Sequence, residues 1–298
     1  MRKLLRKPYR KHLSKERSPC KMKWRIIADS SCDIFDLDHR PEDLYFATVP
    51  FVITVDDRDF VDNADLDVHE LVSAMASSSK SYTSCPSPAE WVREFGEEGN
   101  VFAITISANL SGSYNSACTA REMVLEEQPD RKIEILNSRG TGPSLNMIIY
   151  KLRDLISQQL SFEEVSQEIH KFMDDHKLIF ALSSYHNLVN NGRMPKIAGI
   201  VLGHLGLWGV GIASEEGTIK MKKIAKGGKR TLQVIMNDFK ERVADKGCVV
   251  ISHCENEEFA SNLKKAVESA YADMEVRIMR TRGLCSYYAE RGGIIVGF

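Results

Sequence analysis

Three hydroxyl-rich stretches punctuate the first half of this chain: Asp29-Ser30-Ser31-Cys32-Asp33-Ile34, Tyr82-Thr83-Ser84-Cys85-Pro86-Ser87-Pro88 and Ser107-Ala108-Asn109-Leu110-Ser111-Gly112-Ser113-Tyr114. Each falls where an apolar, strand-like run gives way to a turn or a helix start. A chain punctuated in this way gathers its strand ends along one polar edge. Hydroxyls and free backbone N–H groups at such junctions suit an oxygen-rich anionic head group. Binding of a small anion is therefore indicated before any reaction is.

Between these stretches the apolar period alternates. Residues 25–28, 44–55, 101–106 and 132–136 read as strands, whereas 65–76, 88–96, 111–127 and 144–160 carry helical spacing. Strand and helix in this order argue for parallel pairing through right-handed crossovers. The second half reads differently. Residues 161–175 form a helix opened by Ser161-Phe162-Glu163-Glu164, a capping-box pattern. Residues 178–182 are strand-like, and a short helix precedes Asn190-Asn191-Gly192-Arg193. Residues 205–224 alternate around Glu215-Glu216-Gly217 as an antiparallel hairpin. Helix 231–244, strand 248–252, helix 256–272, strand 275–280 and a last strand within 294–298 complete the pattern. The expected architecture is a two-domain α/β fold. A parallel-sheet domain over 23–158 holds the anion-binding candidates, and an α/β domain over 159–298 has a mixed or antiparallel sheet. Residues 1–22 form a basic, solvated tail.

Composition narrows the class. The chain has 298 residues, 43% hydrophobic and 27% charged, as in soluble globular proteins with ample core. No run approaches the roughly 20 apolar residues of a membrane helix. The net charge of -1 hides an asymmetry, because residues 1–23 carry ten Lys and Arg against Glu16 alone. That tail lacks the apolar core of a secretion signal. Its charge would suit nucleic acid or anionic lipid, but no nucleic-acid role is expected. The seven cysteines are scattered without a C-x-x-C pair, and His253-Cys254 has no partners at metal spacing. This usage fits a reducing cytoplasm and no metal centre.

The junctions carry the chemistry. A helix starting at Ser111 or Gly112 offers unpaired N–H groups and the positive end of its dipole, and glycine permits close approach. Ser111 would equally serve as a simple helix cap. The 83–88 stretch reads as a loop, its hydroxyls either capping the next helix or facing a cleft. Asp29 and the run Asn137-Ser138-Arg139-Gly140-Thr141-Gly142 follow strands at the same carboxyl edge, where open α/β sheets bind ligands. A rival reading is a hydrolase or transferase with a serine nucleophile in the same cleft. Gly-x-Ser-x-Gly is absent, however, and no histidine stands at these strand ends. Gly199-Ile200-Val201-Leu202-Gly203 lacks the Lys-Ser/Thr of a phosphate-cradling loop.

Taken in order, these stretches resemble the DegV family of bacterial fatty-acid-binding proteins. The family's Asp-Ser-Thr/Ser-x-Asp is matched by Asp29 to Asp33, and its Thr-Ser-Gln-Pro-Ser by Thr83 to Ser87 with Cys85 in place of Gln. Its Ser-Ser-x-Leu-Ser-Gly-Thr-Tyr is matched by Ser107 to Tyr114, its Asp-Ser by Asn137-Ser138, and its Gly-Gly-Arg by Asn191-Gly192-Arg193. The resemblance implies a two-domain fold that holds one long-chain fatty acid, with no cofactor and no turnover of its own. It further implies presentation of the acid to the separate ATP-binding subunit of a fatty-acid kinase. The carried-over head-group ligands are Thr83, Ser84, Ser111 and Gly112, with Ser30 and Ser138 on the same rim. Tyr288 stands where the family has a histidine. Arg193, Lys226, Lys229 and Arg230 are expected to handle charge near the pocket mouth or the partner surface. The Lys-Pro dipeptide that the family carries near Val210-Gly211 is absent.

Overall fold

The computed structural model describes residues 23–195, 206–243 and 247–298. The basic tail, the 199–203 run, residue 205 at the start of the expected hairpin and the end of the helix expected at 231–244 lie outside the described residues.

The first unit is built on four parallel strands in the order β2-β1-β6-β7, with β1 (Trp24–Asp29), β2 (Leu44–Val49), β6 (Asn100–Thr105) and β7 (Ile133–Asn137). Side chains alternate across a strand, and the two faces of β1 bury different neighbours. Ile26 and Ala28 join a cluster with α4 (Pro143–Ser157) and α5 (Phe162–Asp175). Ile27 faces α2 (Pro88–Phe95) and α3 (Ser113–Glu127) through Trp91, Phe95, Ala117 and Ala120. Helix α5 begins with the expected capping box at Ser161 and Glu164. It lies beyond residue 158, yet Val165, Ile169 and Met173 pack in the first unit's core. By packing, the second unit begins only at β8 (Leu178–Leu182).

Among the described residues the second unit has six strands in the order β10-β9-β8-β13-β11-β12. Only β11 (Gly247–His253) and β12 (Met274–Arg280) run parallel. The hairpin of β9 (Leu207–Ala213) and β10 (Ile219–Lys226) is antiparallel, and β13 (Ile294–Gly297) lies between β8 and β11. Helices α7 (Gly228–Arg242) and α8 (Glu257–Ala270) supply Ile235, Phe239, Leu263 and Val267 to this sheet's core. Helix α4 also contacts β11 and β13, so it lies between the two sheets.

Two expectations change. The strand expected over 44–55 breaks after Val49, where Pro50 has no N–H to give a ladder. Val52–Val55 starts a separate three-stranded sheet, β4-β3-β5, with β3 (Val52–Val55), β4 (Arg58–Val61) and β5 (Ser81–Ser84). Thr83 and Ser84 are thus in a strand, not a loop. Pro86 and Pro88 exclude a helix there, but they leave the stretch before them free to pair with β3. Helix α1 (Val68–Ser77) connects β4 to β5, a short helix α6 (His186–Asn190) follows β8, and an unforeseen α9 (Gly283–Ala289) precedes β13.

Candidate functional site

The carboxyl ends of β6 and β7, strand β5, helix α9 and the β9–β10 turn line one cavity. Much of its lining is apolar: Leu178, Phe180 and Leu182 from β8, Ile295 from β13, and Ala213 and Ile219 from either side of the hairpin turn. Thr83, Ser111, Tyr288 and Arg193 add polar groups to the same lining. Arg193 is the sole charged side chain in the lining among the described residues.

The polar groups are braced. The Thr83 and Tyr288 hydroxyls are 2.9 Å apart. Burial raises the Tyr288 phenol, opposed by the Thr83 hydrogen bond and by the nearby Arg193 charge. Arg193 Nε donates to the Leu110 carbonyl at 3.1 Å, and its Nη1 donates to the Asn191 carbonyl. The guanidinium is therefore fixed to the loop that carries Ser111. Ser111 Oγ accepts from Ser113 N at 3.2 Å. Helix α3 starts behind Gly112 with no side-chain cap and no acidic residue in its first turn. Ser111 Oγ takes the first of its N–H groups, and the positive dipole end with the next N–H groups of the turn favours a negative group nearby.

Asp29 holds this loop from behind. Its carboxylate accepts Ser31 N and Oγ at 3.2 and 2.5 Å, Ile106 N at 2.9 Å and Ser113 Oγ at 2.7 Å. It is fully buried, and burial raises its carboxyl despite these donors. A carboxylate expected on the rim is a brace inside the wall.

The other expected residues fall elsewhere. Ser84 is exposed at the end of β5, and Gly112 is exposed at the start of α3. Ser30 is buried, accepting from Phe51 N at 2.9 Å and bonded to Asp62. Ser138 Oγ bonds Gly140 N and O and faces a neighbouring groove beside Ser144 and His176. Lys226, Lys229 and Arg230 are exposed where β10 meets α7. Lys226 pairs with Leu207, whereas the cavity touches the opposite end of the hairpin at Ala213 and Ile219. The spacing along β10 is roughly 23 Å at ~3.3 Å per residue. The structure does not bring those three cations to the cavity.

Thr141 and Cys285 also line it, 3.4 Å apart. The 137–142 run pointed to Thr141, but nothing in the sequence around Cys285 did. No histidine lines the cavity among the described residues, and Ser111 faces no general base there.

Comparison with known proteins shows the family and the fold. Residues 23–297 match a family model described as an uncharacterised protein of the DegV family. A DegV domain-containing protein of Streptococcus pneumoniae is 38% identical over 278 residues, covering 93% of this chain and 99% of the relative. The crystal structure of the S. pneumoniae fatty acid kinase (Fak) B3 protein loaded with linoleic acid superposes with a TM-score of 0.91 at 38% identity, over 93% of this chain and 99% of that one. A Eubacterium eligens DegV family protein loaded with heptadecanoic acid gives a TM-score of 0.88 at 36% identity, over 92% and 98% of the two chains.

Proposed function

The chain belongs to the DegV family, and from that footing we propose that it binds one long-chain fatty acid in the Thr83–Tyr288–Arg193 cavity. The supporting observation is a single cavity with a largely apolar lining that also carries the Thr83, Ser111 and Tyr288 hydroxyls and one guanidinium. Burying about fourteen methylenes contributes roughly 11 kcal/mol gross at ~0.8 kcal/mol each. A lone carboxylate would offset several kcal/mol of that on leaving water. Thr83, Ser111 and Arg193 return that loss through hydrogen bonds, and the guanidinium bond is charge-assisted.

The protein then acts as a carrier. It presents the acyl carboxylate to the ATP-binding subunit of a fatty-acid kinase and turns nothing over by itself. Lys226, Lys229 and Arg230, remote from the cavity, are free to meet that partner. The setting is the cytoplasm, which keeps the cysteines as thiols. Among the described residues, no helix is long and apolar enough to cross a membrane.

Lipid extraction and native mass spectrometry of the purified protein test this reading. A bound fatty acid, or one taken up on addition, is the expected result; neither outcome appearing would refute it. Thr83→Ala with Ser111→Ala should weaken fatty-acid binding about tenfold or more, ~1.4 kcal/mol. An unchanged dissociation constant would remove these hydroxyls from the head-group site.

A further inference from the structure

Helix α9 forms one wall of the cavity through Leu284, Cys285, Tyr288 and Ala289, yet it is anchored at both ends in the other unit. At its start, Asp62 just past β4 accepts Gly283 N and Leu284 N at 2.8 Å each. Asp33 accepts Arg282 N at 3.1 Å and Ser252 Oγ at 2.5 Å. At its end, Tyr287 OH donates to Ser81 Oγ at 2.9 Å, and Tyr288 OH meets Thr83 Oγ1 at the same distance. Ser81 and Thr83 are alternate residues of β5 and share a face.

The fit around Asp62 is close. A Cβ on Gly283 would stand 2.6 Å from Asp62 Oδ1 and 2.6 Å from Leu66 Cδ2. The Asp62 side chain is fully buried. The charged and titratable groups around it are Arg282, which donates to the Asn63 carbonyl and lies 4.0 Å over the Phe35 ring, with Asp33, Cys32 and Cys285. None of these groups replaces Asp62 at the two N–H groups. Among the described residues Asp62 is thus the acceptor for both of these N–H groups, and its grip sets where Tyr288 emerges four residues later.

The geometry points to Asp62 as a positioning residue for fatty-acid binding: it touches no ligand, but by gripping the first turn of α9 it sets the Tyr288 hydroxyl against Thr83 at the polar end of the cavity. This inference rests on the fatty-acid reading above. A merely structural role would lower stability without coupling to Tyr288. A positioning role makes the two residues act as one unit.

The test uses the delipidated full-length protein, with oleate as probe and calorimetric titration of wild type, Asp62→Asn, Tyr288→Phe and the double variant. Asp62→Asn keeps the shape but presents an amide donor to one helix N–H. It should weaken oleate binding about tenfold, and adding Tyr288→Phe to it should change the affinity by no more than about twofold. Wild-type affinity in Asp62→Asn, or losses that multiply in the double variant, would overturn the assignment. If Asp62→Asn does not fold, Gly283→Ala displaces α9 from the opposite side of the same contact. It should give the same loss, and wild-type affinity there would equally overturn it. A wild-type protein that takes up no oleate and carries no extracted lipid brings down the fatty-acid reading itself. Uptake by every variant alike removes only the role of Asp62.

Discussion

The two walls of the polar end are built on opposite plans. The Ser107–Ser113 wall is a strand-to-helix junction held within one unit by Asp29, whose carboxylate reaches Ile106 N and Ser113 Oγ. The α9 wall belongs to the second unit and is held by the first through Asp62 and Asp33. Both plans place a buried carboxylate behind the wall, while hydroxyls and the Arg193 guanidinium line the cavity. Asp29 thus ties the first wall to its own sheet, with Arg193 and Glu216 of the second unit meeting it at Leu110 and Asn109, whereas α9 is gripped across the contact between the units by Asp62 and Asp33.

Asp29→Ala should strike hardest at that contrast. It orphans the buried Ile106 and Ser31 N–H groups, each at about 1–3 kcal/mol, and also frees the Ser31 and Ser113 hydroxyls. Denaturant unfolding should show a loss on the order of 2–6 kcal/mol, with fatty-acid affinity falling alongside. A variant that keeps wild-type stability but loses affinity would show that Asp29 is no brace of the fold.

The α9 wall should respond to pH instead. Burial, opposed by the Leu284, Ser30 and Gly283 hydrogen bonds, holds the Asp62 carboxyl at about 7, and burial likewise holds Asp33 at about 6. An exposed aspartate releases its proton near 3.9, so between about 4 and 7 the native state binds the extra protons. The stability these groups contribute is full at low pH and is lost as pH rises through those values. For Asp62 alone the swing is on the order of 4 kcal/mol. Asp62→Asn does not titrate, so its stability relative to wild type should climb from pH 5 to pH 8 even as oleate binding weakens. A difference that stays level across that range would mean Asp62 is ionised throughout, and the cross-unit wall would lose its sensitivity to acid.

The contrast also explains what the sequence revealed. The first wall was legible because its signals are local: a strand end, a run of hydroxyls and Gly112 at a helix start. Even there, Asp29 was expected at the rim, since its partners Ile106 and Ser113 lie 77 and 84 residues away. The second wall left no local trace. Within α9 every residue but Tyr288 is buried, so no amphipathic period marks it. Its anchor at Gly283 lies 221 residues from Asp62. Tyr288 entered the reading through family resemblance, not through any pattern around it. The basic residues at 226, 229 and 230 stand where the hairpin meets α7; the hairpin's pairing was legible, but which of its ends meets the cavity was not.

The smallest expected effect concerns Gly112, where the sequence suggested that the missing side chain permits close approach of an anion. Its φ of -70° and ψ of -3° are open to any residue. A Cβ there would meet only Cys85 Sγ, at 3.4 Å, an ordinary contact. Gly112→Ala should therefore shift stability by no more than about 0.5 kcal/mol and leave fatty-acid affinity within about twofold of wild type. A loss of tenfold or more would mean that the carboxylate rests on the Gly112 backbone itself. The first wall would then supply the principal head-group contact, with α9 serving to close over it.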